Sequence, residues 1–190
     1  MKDKDRDKSN SSGHRRLFSV GVLPKRNKAE VITSTVGSFV AIYLIYWVSS
    51  LVLKGYDLPL MVASMGAAGV LLYAAPRSTM SQPWPLFMGH LISAVVGVSC
   101  AKFIPDLALA SAVAVSGAIL AMHLTRSLHP PGGAAALVAV IGGDSIQTLG
   151  YLYVLVPVGL NVLIMFVAAM LINNAMPGTS YPMKLDDTDK

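Results

Sequence analysis

His129-Pro130-Pro131-Gly132-Gly133-Ala134-Ala135-Ala136 stands between two long apolar runs. Proline is tolerated in the first turn of a helix, because the N–H it removes has no partner there. The octet therefore reads as a helix start with a rigid lead-in. The segment it opens runs from Pro130 to Gly143, whereas a helix crossing a bilayer takes about 20 residues. A short, proline-led, glycine-rich segment has the form of a broken or re-entrant helix. Irregular backbone at membrane depth survives only where protein covers it or where it lines a wet cavity.

The rest of the chain supplies the membrane setting. Of 190 residues, 54% are hydrophobic and only 13% charged, with a mean hydropathy of +0.58. A soluble domain of this size carries more charge. Nine of the fifteen Lys and Arg precede residue 30, and no charged residue occurs from Ser145 to Met183. Positive charge crowded at one terminus is an orientation signal, so the net charge of +5 is no argument for nucleic-acid binding. Cys100, the single cysteine, excludes an internal disulfide and reads as a small buried hydrophobe.

Around the octet, apolar spans are expected at Val31–Leu53, Leu58–Ala75, Leu86–Ile104, Leu107–Leu124 and Leu149–Ile172. Pro157 and Asn161 interrupt the last one. Residues 1–28 form a polar, basic tail, 29–176 the membrane domain and 177–190 a polar C-terminal tail. The fold class is all-α: a polytopic membrane helix bundle of about six segments. With the N-terminus in the cytoplasm, six crossings leave Arg77 and Arg126 inside, and Lys54 and Lys102 outside. A bacterial inner (cell) membrane is the expected location.

The segments also group as three plus three. Gly66-Ala67-Ala68-Gly69-Val70-Leu71-Leu72 resembles Gly132-Gly133-Ala134-Ala135-Ala136-Leu137-Val138, about 66 residues later. An odd number of crossings per unit makes such repeats inverted, with two broken helices meeting near the midplane. Chance similarity between small-residue helices is the alternative.

A helix start presents N–H donors and the positive end of a dipole, which together favour an anion. The expected anion site is therefore His129, Pro130, Gly132 and Gly133, mirrored by Ser64, Gly66 and Ala67, with His90 or His129 supplying a proton or hydrogen bond. Gly89, His90, Ser93 and Gly97 recur on one helical face, the expected packed or polar face. Arg77 and Arg126, just outside spans, mark topology and can draw anions into a cytoplasmic mouth. His90, His123 and His129 match no metal-ligand spacing. No cofactor is expected. The sequence holds no nucleophile elbow, phosphate loop, paired carboxylates or zincin motif, and no acidic residue falls inside a span, so an enzyme is not expected. The expected partners are the lipid bilayer and a small inorganic anion. Small-residue faces also permit a homo-oligomer.

Ser64-Met65-Gly66-Ala67-Ala68, Pro76-Arg77-Ser78, Gln82-Pro83, Gly89-His90 and His129-Pro130-Pro131-Gly132-Gly133-Ala134 together resemble the HPP family of integral membrane proteins. The similarity runs in order from about Glu30 to Tyr181-Pro182. Members occur in bacteria, algae and plants, and plant and cyanobacterial relatives are associated with nitrite transport. The resemblance thus implies a membrane transporter or channel for a small anion, nitrite foremost. The competing reading is a structural or regulatory membrane module that acts with a partner protein.

Overall fold

The computed structural model describes residues 27–55, 57–175 and 180–183, and among these the secondary structure is helical. Helix α1 (Lys28–Ser50) opens with Asn27 as its cap, the side chain accepting the Glu30 N–H at 2.8 Å. Helix α2 (Asp57–Gly69) ends in a wider turn, Val70–Ala74. Helix α3 (Pro83–Phe103) starts on Pro83 and Pro85, and α4 (Leu107–Leu124) is capped by Asp106. Helix α5 is Pro130–Ile141 and α6 is the short Asp144–Leu149. A turn at Gly150, with a positive φ of 52°, leads to Val154–Gly159 and then α7 (Leu160–Asn174). Val156 is extended just before Pro157, so the last span breaks where the proline predicts it.

Hydrogen bonds place the ends. Ser34 donates to Tyr73 O and Asn173 to Leu72 O, gathering the start of α1 and the ends of α2 and α7. Trp84 donates to Thr125 O, which adds the start of α3 and the end of α4. This is the near end. Ser49 is bonded to Asn161, and the Gly143 N–H to Asp57, at the far end. The six apolar segments thus run alternately between the two ends, and α5 crosses to the far end. Five of them are long and apolar enough to cross a membrane. Arg77 and Arg126 fall at the near end, and Lys54 and Lys102 at the far end, as the loop assignment predicts. The described N-terminus and Tyr181 share the near end. Tyr181, which the sequence reading put in a polar tail, is buried there and donates to Ser81 O at 2.7 Å.

The packing follows the three-plus-three grouping. Helix α1 packs on α2 and α7, and α4 packs on α5 and α3, while α2 meets α5 and α3 meets the last span. Exchanging α1 with α4, α2 with α5 and α3 with the last span maps these contacts onto one another. One pair departs: α3 lies against α5 far more closely than α2 lies against α7. The two broken helices expected to meet near the midplane are not both present. Helix α2 is continuous through Ser64, Gly66 and Ala67, so those residues are not at a helix start.

Glycine makes the close α3–α5 seam. A Cβ on Gly97 would press into the Ala136 carbonyl and lie 2.7 Å from Ala136 Cα. A Cβ on Gly132 would meet the Gly89 carbonyl and come within 2.9 Å of Ser93 Oγ. By contrast, nothing lies within 4 Å of a Cβ at Gly66 or Gly133. Both are helical, where alanine is favoured over glycine by up to about 1 kcal/mol. Gly66→Ala and Gly133→Ala should therefore leave the melting temperature of purified protein in detergent unchanged or raised. A fall of several degrees in either would place an unseen neighbour there.

Candidate functional site

Gly89 and Gly97 on α3 face Gly132 and Ala136 on α5, the two helices running in the same direction. Helix α5 therefore begins beside Gly89, six residues into α3, about 9 Å below its start at 1.5 Å per residue. The chain reaches this depth through 125–129. The Ser127 N–H donates to Met122 O, and the His129 N–H approaches Met122 Sδ at 3.4 Å. Ser127 and His129 are fully buried. The octet is thus folded inside the bundle, beneath the near-end surface.

His90 and His129 meet here, 39 positions apart in sequence, with ring centroids 4.7 Å apart. Each ring is held by one nitrogen. His90 Nδ1–H donates to Leu86 O at 2.9 Å, and His129 Nδ1–H donates to Met80 O at 2.7 Å. A carbonyl only accepts, so Nδ1 carries the proton in both rings and each neutral Nε2 presents a lone pair. Both Nε2 atoms are buried without a hydrogen-bond partner among the described residues, and so is Ser93 Oγ. Tyr73 Oη and Asn173 Oδ1, at the near end beside α1, are in the same position. Two imidazolium ions at the separation of the His pair would repel by roughly 3–4 kcal/mol at an effective dielectric near 20. A second proton on the pair is therefore disfavoured.

The helix start itself corrects the sequence reading. Pro130 and Pro131 have no N–H, the Gly132 N–H closes onto His129 O at 2.8 Å, and from Gly133 onward the N–H groups belong to α5. Three of the donors expected at that helix start are thus missing or used, because the two prolines remove the very groups that make a helix start attractive to anions. Ser64 does join the cluster, donating to Pro131 O at 3.4 Å. Pro130 and Gly133 face the other way, into an apolar groove of about 450 Å³ shared with Val115, Ile119 and Leu137 of the adjoining helices. Gly66 is half-buried and Ala67 exposed on the outer side of α2. Of the expected mirror residues, only Ser64 touches the start of α5.

A second pocket, about 270 Å³, opens at the near end. Thr79, Met80, His123, Arg126 and Leu128 line it. Met80 is the residue whose carbonyl holds His129, so the pocket floor adjoins the buried pair. Arg126 is exposed, with a positive φ of 53°, whereas Arg77 sits in the neighbouring loop outside the pocket lining. His123 belongs to this vestibule and not to the buried pair.

Sequence reasoning put Ser93 on a packed or polar face without assigning it to the site, and it missed Asp57. Ser93 lies on the face with Gly89, His90 and Gly97, and its spacing alone marks it. Asp57 reads as part of a loop, yet it is buried at the far end, accepting the N–H groups of Gly143 and Ile146 and so tying α2 to the α5–α6 turn. Asp57→Ala should remove about 2 kcal/mol or more, the cost of leaving buried donors unpaired. It should also speed amide exchange from Gly143 to Gln147. Unchanged exchange there would mean that other acceptors hold the turn.

The description "HPP, transmembrane region" matches residues 23–182. The chain belongs to the HPP transmembrane family. It is 35% identical over 158 residues to a transmembrane protein of Dictyostelium discoideum, covering 81% of this chain and 50% of the relative. A second Dictyostelium transmembrane protein is 37% identical over 131 residues, covering 67% of this chain and 46% of the relative. The HPP chain thus spans about half the length of these curated relatives. Both are eukaryotic, so a bacterial membrane does not follow from kinship. No solved structure matches the chain. The HPP region takes in all six apolar segments and both histidines of the buried pair. The protein is an integral membrane protein.

Proposed function

We propose that this HPP protein carries a small inorganic anion across the membrane, with nitrite as the first substrate to test. The observation that carries this reading is the buried cluster of His90 Nε2, His129 Nε2 and Ser93 Oγ at the start of α5. Polar groups without partners at membrane depth are costly, and they are retained where a solute passes. The near-end pocket supports a route to them: Arg126 attracts an anion at the mouth, and Met80 and Leu128 separate that pocket from His129. The basic N-terminus orients the near end towards the cytoplasm. Nitrite is the choice that the family resemblance suggests, and it is small enough for a site built from three side chains.

The test is solute flux into proteoliposomes made from purified protein. Nitrite or formate should enter faster than into empty vesicles of the same lipid. Flux equal to that of empty vesicles for both solutes, from either side, removes the transport reading.

A further inference from the structure

We infer that the site accepts its anion together with one proton, so that the species moved is the neutral conjugate acid of a weak oxyacid or carboxylic acid. The inference rests on the transport reading and deepens it. Its ground is the direction of the hydrogen bonds. Both Nδ1–H groups are committed to carbonyls, Leu86 O and Met80 O. In the neutral rings the two free nitrogens are therefore acceptors. The first three residues of α5 add no donor, since Pro130 and Pro131 lack N–H groups and the Gly132 N–H is committed to His129 O. The Ser64 hydroxyl is committed to Pro131 O. Only the Ser93 hydroxyl can donate. A bare anion arriving here meets lone pairs. The acid form brings the hydrogen that an Nε2 lacks.

The proton balance is simple. An anion and one proton enter from the same side. They combine in the site either as the acid, its O–H donating to Nε2, or as the anion beside one imidazolium, its Nε2–H donating to the oxygen. These are one proton in two positions along a single hydrogen bond. Both leave on the other side, and no net charge crosses. No acidic or basic side chain and no third histidine competes for the proton at that depth among the described residues. Leu58–Tyr73 of α2, Leu107–Met122 of α4, Pro130–Ile141 of α5 and Val154–Asn174 of the last span contain no acidic, basic or histidine side chain, and His90 is the only one in α3 before Lys102. Arg126 and His123 stand at the near-end mouth, and Asp57 at the far end.

The experiment uses the same proteoliposomes at neutral pH, with a trapped pH dye and the membrane potential set by a potassium gradient and valinomycin. Nitrite and formate should acidify the lumen faster than in empty vesicles. Their entry should be insensitive to the imposed potential. Nitrate, the anion of a strong acid, should enter no faster than into empty vesicles. Protein-dependent nitrite entry that follows the potential without acidification overturns the inference and leaves the transport reading standing. Nitrate entering as fast as nitrite does the same. Absence of any protein-dependent flux overturns the transport reading itself, and the inference with it. Ser93→Ala is the accompanying variant. It retains both imidazole acceptors, so acidification per nitrite should stay at one proton even if the rate falls. A changed ratio would count against the pair as the proton's seat.

Discussion

Gly97→Leu should leave little folded protein. At this position α3 and α5 touch backbone to backbone: an added Cβ alone would press into the Ala136 carbonyl and sit 2.7 Å from Ala136 Cα. Neither atom is the tip of a movable side chain. Two helices would have to separate, and with them the Gly89–Gly132 contact that sets the depth of the octet. Overpacking a fitted core costs about 1–3 kcal/mol for each intrusion that can be absorbed, and this one cannot be absorbed locally. Gly97→Ala should already lower the melting temperature in detergent by several degrees, and Gly97→Leu should shift the protein to aggregate on size exclusion. A monodisperse Gly97→Leu protein with the parental melting temperature would show that the seam is looser than its glycines imply.

The largest functional effect is expected at His129. His129→Asn keeps an N–H able to donate to Met80 O but removes Nε2. The fold should survive, because the anchoring bond is kept, while the acceptor is lost. Losing one hydrogen bond to a buried, partly charged solute is worth about 1.5–3 kcal/mol, so nitrite flux should fall roughly tenfold to a hundredfold. His90→Asn should act in the same direction. Parental flux in both variants, with comparable amounts of protein reconstituted, would remove the pair from the path. A fall in flux accompanied by an equal fall in melting temperature would assign His129 a structural role only.

Much of the bundle is legible in the chain because hydropathy and length decide which segments can lie in lipid. Leu107–Leu124 is bounded by Asp106 and by the turn at Thr125, and its ends follow from those residues. Pro157 marks the break in the last span. Gly89, His90, Ser93 and Gly97 announce a packed polar face by spacing. The partner of that face is not legible, since His90 and His129 meet only after three helices have packed. The small-residue run at Gly66 resembles the octet for a different reason. There, Ser64 and Ala68 face inward while Ala67 lies outward in an unbroken helix, so similar composition serves packing alone. Asp57 is hidden in the sequence by its neighbours, a lysine, a glycine and a tyrosine. Its burial depends on the α5–α6 turn, 86 residues away.

The paired prolines of α5 reverse the usual chemistry of a helix beginning. Such a beginning is normally a cradle of amide hydrogens, and many proteins hold phosphates or carboxylates there. Here two consecutive imide nitrogens empty the cradle before the polypeptide has turned once. What remains beside it, on the reading proposed above, is a pair of imidazole lone pairs, which would rank solutes by whether they carry hydrogen and not by how much negative charge they bear. Discrimination of this kind would be written by subtraction, through two groups the chain does not have.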